Sequence, residues 1–324
     1  LKEKIYEYDS CGHRLFSSLT QCRRLCGFNE EFYHIPRDAG DKFAGRGGKV
    51  MTELSKRIYT GVLLVFAITL SIRIHAVSFI LLITLINLLA LLEFYRLFRS
   101  STQTPRVIAG VALSFSLLVS LTLFLTNVSG WKIMLINIPV AFSIFIIELY
   151  SRSNAPFHNL AFTFLGIIFI TIPLCFFISI AFNRGSQWSY EFQIPLGYFF
   201  ILWAGDSCAY VAGKTFGRHK LFKRISPKKT VEGSIGSLVA SLLVAYITSL
   251  YFTSVDESTW IGMGIIIVIA GTFGDLIKSM MKRSLGVKDS GNMLPGHGGI
   301  LDRFDSLLGS APFVFCFLAL YPIA

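Results

Sequence analysis

Residues 76–98 read A-V-S-F-I-L-L-I-T-L-I-N-L-L-A-L-L-E-F-Y-R-L-F, slightly more than the roughly 20 apolar residues that a helix needs to cross hydrocarbon. Similar runs recur near 57–74, 107–126, 131–149, 160–182, 194–213, 233–254, 260–280 and 306–323 of the 324-residue chain. Together they make about nine candidate spans and predict an all-α, polytopic integral membrane protein. Proline within several of them (Pro139, Pro173, Pro195) is tolerated where neighbouring helices satisfy the freed backbone groups.

Composition agrees. Apolar residues make up 53% of the chain and charged residues only 15%, against about 25% in soluble domains; mean hydropathy is +0.61. The net charge of +11 sits in short loops between apolar runs. That placement suits anionic lipid headgroups or phosphorylated substrates and argues against nucleic acid as a partner. The basic residues fall beside Lys56 and Arg57, after Arg96, Arg99 and Arg106, at Arg152, throughout 214–230, and across 278–303. If every span crosses, these loops share one side, and the positive-inside rule makes that side cytoplasmic.

Residues 1–50 differ from the rest: polar, with nine basic and seven acidic residues and three of the six cysteines (Cys11, Cys22 and Cys26). Cys22 and Cys26 with His13 or His34 lack the second Cys-x-x-Cys pair that a zinc site would show. The first methionine is Met51, which is expected to be the natural start, with 1–50 an extension. Cys175, Cys208 and Cys316 lie in apolar runs and are expected to pack as free thiols.

Charge concentrates in two places. The first spans Gly274–Ser306, where Asp275, Asp289, Asp302 and Asp305 alternate with Lys278, Lys282, Arg283, Lys288 and Arg303 around Pro295-Gly296-His297-Gly298-Gly299. Asp302 and Asp305 would share a helical face, as would Asp275, Lys278 and Lys282. Glycines such as Gly298 and Gly299 let backbone N–H groups approach an anion, with His297 among them as a phosphate or base contact. Hard carboxylate oxygens suit Mg²⁺, which takes its remaining ligands from water and substrate phosphates; the lysines and arginines would hold phosphate oxygens. The second cluster has Asp206 ending the sixth span, then a basic stretch with Lys228, Lys229 and Thr230; taken alone, 214–230 reads equally as a cytoplasmic hairpin anchored to lipid headgroups, whereas the functional account sets these residues near a nucleotide triphosphate. Gly213-Lys214-Thr215 resembles the end of a P-loop, but Cys208 stands where its first glycine belongs, and no βαβ unit surrounds it. Two such clusters on one side favour a shared site for a nucleotide triphosphate.

The run Ser279-x-x-Lys282-Arg283-x-x-x-x-Lys288-Asp289-x-Gly291-x-x-Leu294-Pro295-Gly296-His297-Gly298-Gly299-Ile300-x-Asp302-Arg303-Phe304-Asp305 resembles the hallmark of phosphatidate cytidylyltransferases, also called CDP-diacylglycerol synthases. Upstream G-D-S-x-A-Y and S-P-K-K-T-x-E-G elements are similar to that family's, with Cys208 a small departure. The resemblance covers roughly 51–324 as one membrane-embedded domain, its catalytic part about 194–310. It implies CTP and phosphatidic acid as substrates, Mg²⁺ as cofactor, metal-binding aspartates at Asp275 and Asp302 with Asp305 in the same block, and a homodimer. The site would face the cytoplasm, from a bacterial inner membrane or an organelle membrane. A CTP-dependent lipid kinase, which would release CDP, and a cation transporter using Asp206 and Asp275 are the competing readings.

Overall fold

The computed structural model describes residues 46–99, 104–184, 188–287, 290–291 and 298–321, with side chains from Tyr59 onward. The chain divides into two compact units, Leu1–Thr52 and Glu53–Ala324, and everything below concerns the second. The expectations for 1–45, including Cys11, Cys22 and Cys26, lie outside the described residues, as do Lys288, Asp289 and His297.

Ten α-helices are described: α1 (Arg46–Ile74), α2 (Ala76–Phe98), α3 (Val107–Leu125), α4 (Asn137–Leu149), α5 (Pro156–Gly166), α6 (Ile172–Ser179), α7 (Gln193–Thr215), α8 (Val231–Tyr251), α9 (Glu257–Ser284) and α10 (Asp305–Leu320). Two antiparallel hairpins interrupt them, β1 (Phe182–Arg184) with β2 (Trp188–Tyr190) and β3 (Lys220–Phe222) with β4 (Ser226–Thr230). The all-α expectation therefore holds for the membrane elements; the β3–β4 ribbon falls where a hairpin was expected within 214–230, and the β1–β2 ribbon was not expected. Both lie in polar connections, where a hairpin satisfies backbone groups that no helix continues to pair.

Among the described residues, seven helical stretches are long and apolar enough to cross a bilayer: Ala76–Phe98, Val107–Leu125, Trp131–Leu149, Pro156–Ser179, Gln193–Thr215, Val231–Tyr251 and Glu257–Ser284. Tyr59–Ile74 and Asp305–Leu320 are apolar but shorter. The chain is thus an integral membrane protein.

Two spans are irregular where proline requires it. Trp131–Leu149 starts as a 3₁₀ segment, Trp131–Ile136, and becomes α-helical just before Pro139, whose missing N–H costs least in a first turn. Pro156–Ser179 contains a π-helical stretch, Ile167–Thr171, directly ahead of Pro173. Proline cannot donate to the carbonyl four residues back, and a widened turn accommodates the loss. Cys175, Cys208 and Cys316 are free thiols.

The main core gathers buried residues from α2, α6, α7, α9 and α10, including Phe94, Phe177, Tyr198, Trp260 and Leu307. With little hydrophobic drive between helices in lipid, close approach depends on small residues. The α9–α10 contact shows this best. A Cβ on Gly274 would lie 2.6 Å from Gly309 Cα and 2.8 Å from the Asp305 carbonyl oxygen, so the two backbones touch. Tyr198 of α7 adds a 2.5 Å bond to Ser310 Oγ of α10. These contacts bring the end of α9 against the start of α10, where the charges lie. Gly274→Val is expected to force the pair apart and cost about 1–3 kcal/mol, read as a lower unfolding temperature in detergent. Gly130→Ala, whose Cβ would meet nothing within 4 Å, is expected to leave that temperature unchanged.

Candidate active site

A cavity of about 460 Å³ opens between α7, β4, α8, α9 and α10, within the range of roughly 300–1,000 Å³ usual for small-molecule sites. Its charged wall is Asp206 and Lys214 from α7, Lys228 and Lys229 from β4, Asp275 from α9 and Asp305 from α10. The hairpin expected within 214–230 is the β3–β4 ribbon, which pairs Lys220 with Thr230 and Phe222 with Ser226. Thr230 then ends the ribbon and caps α8, its hydroxyl oxygen accepting from Gly233 N at 3.1 Å. This turn from strand to helix sets Lys229 against α9. Lys228 is exposed at the cavity rim, whereas Lys229 Nζ lies 2.6 Å from Asp275 Oδ2. Gly213-Lys214-Thr215 forms the last turn of α7, not a phosphate-cradling loop.

Below the cavity wall the aspartates and lysines interlock. Lys278 is buried, its side chain 3% exposed, with Nζ 2.9 Å from Asp302 Oδ1, in contact with Asp305, and 3.9 Å from Asp275 Oδ1. Lys282 Nζ approaches the same Asp302 oxygen at 2.8 Å. Asp275 and Asp305 thus meet around one ammonium. The helical face expected for Asp302 with Asp305 is corrected. Asp302 lies in a turn closed by Arg303 N donating to Ile300 O at 2.9 Å, and α10 starts only at Asp305. Lys278 unites the two carboxylates instead of helical spacing.

Burial alone would raise the pKa of Asp302. The Lys278 ammonium, with bonds from Lys282 and the Ser290 N–H, outweighs it and holds this carboxyl well below the usual carboxylate range.

Among the described residues no three His, Cys, Asp or Glu side chains form a ready-made metal site. The donor set nevertheless fits Mg²⁺. Asp275 and Asp305 line one cavity wall, and Mg²⁺ commonly takes one or two carboxylates plus substrate phosphates. Asp302 is beside them across Lys278.

Of the remaining candidates, Arg283 and Arg303 are exposed. Gly298 takes φ +80, a left-handed conformation that favours glycine, and Gly299 is buried. What confines Gly299 is a residue that the sequence reading did not single out. Glu93 of α2 is 2% exposed. One of its oxygens accepts from Ser290 Oγ, the other from Ile300 N at 2.7 Å. A Cβ on Gly299 would collide with it. The available signal was a lone carboxylate inside an otherwise apolar span, which normally has a purpose.

The cytidylyltransferase family model matches residues 55–321. The chain belongs to the cytidylyltransferase family. It is 32% identical over 272 residues to a phosphatidate cytidylyltransferase of Bacillus subtilis, covering 84% of this chain and 100% of that protein. It is 39% identical over 177 residues to one of Staphylococcus aureus, covering 54% of this chain, and 37% identical over 177 residues to one of Staphylococcus haemolyticus, again covering 54% of this chain. The match spans 65% of the length of each staphylococcal relative.

Lys278→Met leaves three carboxylates facing one another without their shared cation. Removing one partner of a buried ion pair costs about 3–5 kcal/mol, and a loss of that order is expected in unfolding experiments. Lys282→Met, which leaves Lys278 on Asp302, is expected to cost less. Because the Asp302 carboxyl is depressed in the fold, its pairing stabilises fully above the unfolded carboxyl value near ~4. That stabilisation is lost as pH falls through the folded value, so Asp302→Asn should flatten the acid limb of the stability curve.

Proposed function

We propose that this chain transfers the cytidylyl group of CTP to phosphatidic acid, giving CDP-diacylglycerol and pyrophosphate. The observation that carries the reading is the cavity whose wall joins Lys228, Lys229, Asp275 and Asp305 at the ends of membrane-capable helices. Such a place can meet a soluble polyanion and a lipid phosphate together. Relatives named as phosphatidate cytidylyltransferases supply the substrates.

The main barrier is electrostatic, since two polyanions must approach. Lys228 at the rim, with Lys214 and Lys229, binds the phosphates of CTP and lowers that repulsion. The phosphatidic acid phosphate is already ionised near neutral pH and needs no strong general base. Its oxygen forms a bond to the α-phosphorus as the bond from that phosphorus to the β-phosphate oxygen breaks, and pyrophosphate leaves with the electron pair. Arg283 and Arg303, exposed beside the cluster, compensate the departing charge. Asp275, Asp302 and Asp305 are the residues that would hold Mg²⁺, which when bound neutralises phosphate charge and polarises the phosphoryl group. Lys278 sets the carboxylate positions from beneath.

All nine apolar helices, including the two shorter ones, cross the membrane in this reading, which puts the basic loops and the site on the cytoplasmic side. The relatives are bacterial, which favours a bacterial inner membrane over an organelle. The homodimer rests on the family resemblance alone.

Purified protein in detergent with CTP, phosphatidic acid and Mg²⁺ is expected to form lipid-linked cytidine and pyrophosphate in equal amounts. Chelation should abolish both. Asp302→Ala is expected to lower turnover at least about a hundredfold, and Asp302→Glu to impair it despite the retained charge, because Mg²⁺ demands tight octahedral geometry. Unchanged turnover in Asp302→Ala would remove the metal role from this cluster.

A further inference from the structure

Glu93 lies on α2, far in sequence from the charged cluster, yet it grips both described ends of the glycine-rich segment. Ser290 Oγ donates to Glu93 Oε1 and Ile300 N donates to Oε2 at 2.7 Å. Gly291 and Gly299 pack against the same carboxyl group. A Cβ on Gly291 would sit 3.1 Å from Glu93 Cδ, and one on Gly299 would collide with Oε1. So the glycines at both ends leave the space that the Glu93 head fills. The chain then passes the constraint onward. Ser290 N donates to Asp302 Oδ2 at 3.2 Å, while Lys278 and Lys282 hold Oδ1.

A carboxyl group buried in a membrane span is costly unless its oxygens are satisfied. Here both are satisfied by one loop. A bland account would have Glu93 staple α2 to the bundle. In that case bonds to neighbouring helices would serve as well, whereas its partners are Ser290 and Ile300, on the polar connection that leads into Asp302.

We propose that Glu93 is a positioning residue: it clamps Ser290 and Ile300 together and, through the Ser290 amide, fixes the orientation of the Asp302 carboxylate. This rests on the cytidylyltransferase reading only where turnover is concerned; the clamp itself is a claim about geometry. Outer partners that orient a ligating group commonly change function about 10- to 100-fold when replaced.

Three variants test it: Glu93→Gln keeps the shape and removes the acidic acceptor, Glu93→Asp keeps the acid and shortens its reach, and Ser290→Ala removes one bond. Folded fraction is measured by size exclusion and thermal unfolding. Turnover per folded molecule is then split into kcat and the KM for CTP, and amide hydrogen exchange is followed in peptides covering 298–303. In Glu93→Gln the expected result is a kcat lower by about tenfold or more, a CTP KM within about threefold of the unsubstituted protein, and faster exchange at Ile300. Glu93→Asp should not rescue kcat, and Ser290→Ala should fall in the same direction by less. Effects of Glu93→Gln and Ser290→Ala together should be less than additive, since they act in one chain. Unchanged kcat per folded molecule in both Glu93→Gln and Ser290→Ala, or unchanged exchange at 298–303 in Glu93→Gln, would overturn the proposal. If the unsubstituted protein makes no lipid-linked cytidine, the functional reading fails while the exchange measurement still decides the clamp.

Discussion

The ammonium of Lys278 is almost wholly withdrawn from solvent and is surrounded by Asp275, Asp302 and Asp305. Taking such charges out of water costs several kcal/mol each unless they are closely paired. The rest of the site follows from that requirement. Asp275 and Lys278 come from one helix, Asp305 opens the next and Asp302 lies in the turn between. They can meet only because Gly274 and Gly309 let the α9 and α10 backbones touch. Lys229 and Lys282 complete the arrangement from the hairpin and from α9, so three lysines face three aspartates. Formally the three lysines balance the three aspartates, and in the proposed function such a cluster would take up a divalent cation together with phosphate anions.

Much of this was legible in the sequence, and the reason is physical. A span needs a long apolar run, and hydrocarbon leaves few alternatives to a helix, so 76–98 and 107–126 fall where α2 and α3 lie. The i, i+3 and i+7 spacing of Asp275, Lys278 and Lys282 likewise survives, because α9 runs unbroken from Glu257 to Ser284. Local spacing failed at Asp302. Helical periodicity there assumes that the helix has already begun, and its true start at Asp305 is set by the preceding turn and by packing. The π-helical stretch before Pro173 was unreadable for a similar reason: proline signals strain, and the surrounding helices choose how it is relieved.

Glu93 escaped for a different reason. Its partners are about two hundred residues away in sequence, and no periodicity connects them. A single acid within residues 76–98 hints at a role but not at its partner. The cluster and the proposed clamp are joined through Ser290, which bonds both Glu93 and Asp302. In the proposed reaction such support would matter, because transfer between two polyanions gains most from charges already fixed in place.

The central claim, that this site performs nucleotidyl transfer to a lipid phosphate, is tested most directly by following the individual phosphates of CTP. The purified protein would be given phosphatidic acid with CTP labelled at the α-phosphate in one reaction and at the γ-phosphate in another. The expected result is α label in the lipid product and γ label wholly in pyrophosphate. Label from the γ position in the lipid, with CDP released, would contradict the account and make the chain a lipid kinase.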